Sequence, residues 1–144
     1  MSSGAASALW WPRPEAGDLV WCHFPNLPRA PQLQPGPKPR PALIVRVIER
    51  NPHYRVYVAY GTSQKTASLR SGEFLMRKDG STAFKLSGLS FDTKFSFANS
   101  VELDYSSQWF KVPPHAPCGQ LPKIGVLHAA YGKAAYAAYQ AVLG

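Results

Sequence analysis

The chain has 144 residues, 45% of them apolar, with sixteen Lys and Arg against eight Asp and Glu. That length suits one domain with its own hydrophobic core, and that composition excludes a disordered chain. No run approaches the roughly 20 apolar residues of a membrane helix, and Cys22 and Cys118 are too few for a disulfide scaffold. Residues 1–17 show no charged leader followed by an apolar run. A cytoplasmic location with free thiols is therefore expected, and no membrane association.

The charge is unevenly spread. Residues 29–85 hold eleven Lys and Arg against three acids, so the whole net excess of +8 sits in the middle of the chain. A basic field of that size attracts polyanions or an acidic protein partner.

Residues 1–16 are small and polar apart from Trp10 and Trp11, and Pro12 and Pro14 keep them out of a helix. They read as a flexible N-terminal arm whose tryptophans dock on the body, which spans 17–144. Asp18 to Phe24 follows Gly17 and is rich in strand formers. Seven prolines between 25 and 41 then exclude both helix and central strand. A connection this long is commonly functional. Ala42 to Ile48 is a near-continuous apolar run, as expected of a central strand. Asn51-Pro52 marks a turn. Tyr54, Val56, Val58 and Tyr60 alternate on one face of the following strand, so the two form an antiparallel hairpin.

Phe74 to Arg77 is a short strand, with Asp79-Gly80 read as a hairpin turn. Lys94 to Ala98 and Val101 to Tyr105 are two weaker strands. Four prolines between 113 and 122 precede a single helix over 127–143, which contains seven alanines. Its apolar stripe is Leu127, Tyr131, Ala134, Ala138 and Val142, with Gly132 weakening the first turn. The expected class is mainly β (α+β): a small antiparallel barrel closed by one C-terminal helix.

Most enzyme motifs are missing. There is no G-x-S-x-G elbow, no phosphate-binding G-x-x-x-x-G-K-[ST] and no G-x-G-x-x-G. Cys22-His23 and His115-x-x-Cys118 supply metal-ligand types, but adjacent strand residues point to opposite faces. No metal site and no cofactor is expected. What remains is the hairpin's open end. Lys38-Pro39-Arg40-Pro41 enters its first strand and Tyr60-Gly61-Thr62-Ser63-Gln64-Lys65 leaves its second, so both lie at one end of the sheet. An arginine fork with adjacent hydroxyls suits a phosphate, although Arg40 capping a strand and Thr62 bonding its own turn would leave the same pattern.

Gly17-Asp18-Leu19-Val20-Trp21 followed by Arg40-Pro41-Ala42-Leu43-Ile44-Val45, with Thr62-Ser63 ending a valine-rich strand, resembles the PemK/MazF family of bacterial growth-inhibitor toxins. The resemblance covers roughly residues 17–143. It implies an SH3-like, PemK/CcdB-type barrel, usually a homodimer. The implied activity is metal-independent cleavage of single-stranded RNA by attack of the 2′-hydroxyl, silenced by an acidic antitoxin. Arg40 would then stabilise charge on the scissile phosphate, and Thr62 or Ser63 would hold it. Lys38, Gln64, Lys65, Arg46 and Arg55 are the candidate RNA contacts. Some members carry an Arg/Asp pair on a late strand. Here that stretch begins Asp92-Thr93-Lys94, so Asp92 and Lys94 are the acid/base candidates. The loop before Arg40 is longer and richer in proline than in the family. Two alternatives stand beside this reading. One is a PemK-like barrel that only binds nucleic acid or protein. The other is a PWWP-like chromatin reader, which the same Gly17–Trp21 opening resembles but whose tryptophan pair is missing at Pro39–Ala42.

Overall fold

Residues 40–62 organise the molecule. In the computed structural model, which describes residues 8–143, they form strands β2 (Arg40–Arg50) and β3 (His53–Thr62), joined at the cis Asn51–Pro52 bond. β1 (Asp18–Cys22) pairs with the outer edge of β2. β5 (Thr93–Asp104) pairs with β3, β4 (Glu73–Met76) with β5, and β6 (Lys123–Val126) with β1. The result is one antiparallel sheet in the order β4-β5-β3-β2-β1-β6. Helix α1 (Thr82–Ser87) lies between β4 and β5 in sequence, and α2 (Gly132–Leu143) ends the described chain.

Side-chain alternation loads both faces of the sheet. Tyr54, Val56, Val58 and Tyr60 lie on one face, as their spacing predicts, with Val20, Ile44, Val101 and Leu103. Trp109, Phe110 and Phe24 cover that layer. Leu19, Leu43, Ala59 and Phe95 face the other way, against Phe84 of α1 and Ala135 and Ala138 of α2. The apolar run of β2 serves both layers because alternate residues enter alternate cores. A bulge between Ile44 and Arg46 returns Val47 to the side of Ile44.

The expected closed barrel is not formed. β4 and β6 are the two edges of an open sheet. α1 follows β4, and its end abuts β6. Gly88 caps α1 in the left-handed conformation (φ 71), and a Cβ there would overlap the Ile124 carbonyl. A helix offers no ladder of N–H and C=O groups to a strand edge, so it packs on β6 without closing the sheet. Asp79-Gly80, read as a hairpin turn, leads into this helix instead. Asp79 accepts a bond from the Ser81 N–H, and Ser81 Oγ caps the Phe84 N–H at 3.1 Å.

Three further boundaries differ from expectation. The two weak strands after residue 93 are one strand, because residues 97–99 bulge out between Ser96, opposite Tyr60, and Ser100, opposite Ala59. Lys123–Val126 is a strand where only a proline-broken loop is expected. The C-terminal helix begins at Gly132 after a 3₁₀ turn over Ala129–Tyr131, with His128 Nδ1 accepting from the Ala130 N–H. Its buried seam is Ala135 and Ala138, so Ala134 and Val142 of the expected stripe are exposed.

Within the expected flexible arm, Trp11 donates from its backbone N–H to the Tyr105 carbonyl (3.0 Å) and from Nε1 to the Phe110 carbonyl (3.1 Å). Trp10 stacks on His53 with centroids 4.1 Å apart. Residues 8–16 therefore lie against the body, and residues 1–7 of that arm fall outside the described residues. Among the described residues, no helix is long and apolar enough to cross a membrane.

Two outcomes follow from this packing. A Cβ on Gly61 would stand 2.6 Å from both the Pro41 carbonyl oxygen and Phe95 Cε1. Gly61→Ala is expected to destabilise the protein by about 1–3 kcal/mol, read from urea unfolding. Cys22 is fully buried, and desolvation pushes its thiol pKa up. The thiolate is the reactive form. Mass spectrometry of native protein treated with iodoacetamide should therefore find Cys22 unmodified until denaturant is added.

Candidate functional site

Ala42 lies opposite Tyr60 in the β2–β3 ladder. Arg40 stands two residues before Ala42 and Thr62 two residues after Tyr60, so each ends its strand on the same side of the hairpin. Both reach the end of the sheet, where a cavity of about 420 Å³ opens. Arg40, Thr62 and Ser63 line it, so the three residues singled out for a phosphate share one cavity. Trp21, Leu89 and Ile124 supply apolar walls, and prolines from two loops supply rigid ones.

The polar equipment suits an anion. Among the described residues no carboxylate lines the cavity, and Arg40 makes no ion pair. Thr62 Oγ1 accepts from the Gln64 N–H at 3.1 Å, so the local turn bond does form. That bond uses an oxygen lone pair and leaves the hydroxyl proton free to donate to a ligand oxygen. Ser63 is exposed beside it.

Two residues join the site that sequence reasoning did not assign to it. His115 lines the cavity from the loop Pro113–Cys118. Its φ of 68 places it in the left-handed region, in a turn closed by the Ala116 N–H on the Pro113 carbonyl at 3.0 Å. That position ordinarily takes glycine or asparagine, and another residue there costs about 1 kcal/mol. Its sequence signal is a histidine among three prolines, Pro113, Pro114 and Pro117. Phe91 also lines the cavity and is 67% exposed. An exposed ring at the wall of a cavity is a stacking surface for a flat group.

The other candidates are dispersed. Gln64 and Lys65 line a neighbouring cavity of about 360 Å³ that shares Thr62 with the first. Lys38 is exposed two residues before Arg40. Arg46 lies six residues along β2 from Arg40, about 20 Å away at strand rise, with its guanidinium over the Tyr57 ring. Arg55 is at the same remote end, bonded to Glu102 at 2.6 Å and to Asp104. Partial burial works against its charge, but the two carboxylates outweigh burial and hold the guanidinium charged more firmly than usual. Neither arginine reaches the cavity.

Asp92 and Lys94, the acid/base candidates, do not line it either. Asp92 accepts from the Lys78 N–H at 2.7 Å. Lys94 is buried, 3.1 Å from Glu73 Oε1, and donates to the Ser68 carbonyl, so it ties β4 and the loop before it to β5. Cys22 sits in the core and His23 Nδ1 faces the Gly36 carbonyl at 2.8 Å, both away from His115 and Cys118 in their own loop. No group of three potential metal ligands forms among the described residues.

No protein-family model matches the chain, and no curated protein matches it in sequence.

The backbone at His115 gives a direct test. His115→Gly removes the left-handed strain along with the side chain. The melting temperature should stay level or rise, while any function that uses the imidazole is lost; a large drop in melting temperature would make His115 a packing residue.

Proposed function

We propose that this protein is a metal-independent endoribonuclease of the PemK/MazF type, acting on single-stranded RNA. The observation that carries the reading is one cavity lined by an unpaired arginine, a histidine and the hydroxyl residues Thr62, Ser63, Ser90 and Thr93, with no carboxylate among the described residues on its walls. The Gly17–Trp21 and Arg40–Val45 resemblance supports it independently. The net charge of +8 agrees with a polyanionic substrate. The same reading carries an acidic antitoxin and a homodimer as partners.

The chemistry uses the substrate's own nucleophile. His115, the imidazole on the cavity wall, accepts the proton of the ribose 2′-hydroxyl. The 2′-oxygen attacks phosphorus, and the bond to the 5′-oxygen breaks. The products are a 2′,3′-cyclic phosphate and a 5′-hydroxyl, whose proton comes from solvent or from the imidazolium. Arg40 meets the charge that grows on the non-bridging oxygens, and the Thr62 and Ser63 hydroxyls donate to the same oxygens.

Purified protein is expected to cut a long single-stranded RNA in excess chelator. Arg40→Ala should lower the initial rate by about 100- to 1,000-fold with an unchanged melt, because the residue sits at a strand end without an ion pair. Thr62→Val should cost less, since a neutral hydroxyl bond is weaker than a charged one. Binding should weaken with salt as counterions are released. Intact RNA alongside salt-sensitive binding would instead identify a binding module. A requirement for divalent metal would overturn the mechanism.

A further inference from the structure

Arg40 lies on the wall of two cavities. The second, of about 260 Å³, shares only Arg40 with the first and is otherwise lined by Phe24, Pro25, Asn26, Pro28, Tyr60 and Asn99. Its lining includes an aromatic pair, with the Phe24 and Tyr60 rings 5.1 Å apart and tilted by 55°. Asn26 and Asn99, both exposed, also line it, and a carboxamide supplies both a donor and an acceptor.

Asn26 belongs to the proline-rich loop and Asn99 to the bulge of β5. Arg29 fastens those segments together: its Nη2 donates to the Ala98 carbonyl at 2.8 Å and its Nη1 to the Ser100 carbonyl at 3.4 Å. The Asn99 N–H is held on Ser96 Oγ, and Ser100 Oγ donates to the Phe97 carbonyl. The second cavity is thus built and braced, which gives the long proline-rich loop a task.

We infer that Arg40 holds a phosphodiester between two nucleotide subsites, and that Asn26 and Asn99 read the base in the second one. The inference rests on the proposed RNA reading and deepens it. A phosphate monoester carries a substituent on one side only and would fill one cavity. A diester carries one on each side, so a single anion at Arg40 can send one base toward Phe91 and the other toward the asparagines. The first cavity, apolar and aromatic, takes a base by its face. The second, with two carboxamides, takes a base by its edge. Arg29 is a positioning residue that keeps the two asparagines at a fixed separation.

The test is calorimetric binding of 2′-O-methyl dinucleoside monophosphates, which cannot be cleaved, beside the matching nucleoside 3′-monophosphates. The dinucleotides should bind about tenfold or more tightly than the monophosphates, as one added base contact would supply. Asn26→Ala and Asn99→Ala should remove most of that advantage and relax base preference at one of the two positions only, with monophosphate binding unchanged. Arg29→Ala should do the same while Arg29→Lys partly restores it. Equal affinity for dinucleotides and monophosphates, or unaltered base preference in both asparagine variants, overturns the two-subsite inference even if long RNA is cut. Failure of wild-type protein to bind any of these probes or to cut RNA overturns the endoribonuclease reading and this inference together.

Discussion

The register that sets Ala42 opposite Tyr60 governs both the core and the cavity. Inward along the hairpin it alternates Val56 and Val58 into one layer and Ala59 into the other, so a single sheet is buried on both sides. Outward it leads to Arg40 and Thr62, which line one cavity. Gly61 is part of the same constraint, because only a residue without a Cβ lets β3 pass so close to Pro41 and Phe95. A slip of one residue would exchange the two layers and separate the arginine from the hydroxyl.

Rigidity around the cavity comes from proline more than from regular structure. Pro39 and Pro41 bracket Arg40, and Pro113, Pro114 and Pro117 surround His115. Such residues have few conformations to lose on folding, so loops built from them can be ordered at little entropic cost. The left-handed His115 is held within such a loop. Preorganised walls favour binding in a cavity, since reorganisation on binding would subtract from affinity.

Positive charge is concentrated in the middle of the chain but is spent in different ways. Arg55 is held by two carboxylates, Lys94 by Glu73, Arg46 rests on Tyr57, and Arg29 ties loop to bulge. Arg40 is the cation left unpaired in the cavity. Net charge alone therefore does not identify which cation stays unpaired at the cavity.

Local pattern alone determined the β2–β3 hairpin, the non-helical proline segment, the C-terminal helix and the meeting of Arg40 with Thr62 and Ser63. Each depends on alternation, proline stereochemistry or alanine propensity within a few residues, and an antiparallel hairpin returns its ends to one place. Tertiary structure decided what joins segments far apart. α1 stands at β6 and leaves the sheet open, and its caps, Ser81 and Gly88, were present in the sequence but outweighed by the turn signal of Asp79-Gly80. His115 and Phe91 reach the cavity only because β6 and the end of α1 bring their loops to the hairpin. Lys94, promising by its neighbourhood in sequence, was taken by Glu73 across β4 and β5. Those outcomes rest on contacts between residues distant along the chain, which spacing within a segment does not encode.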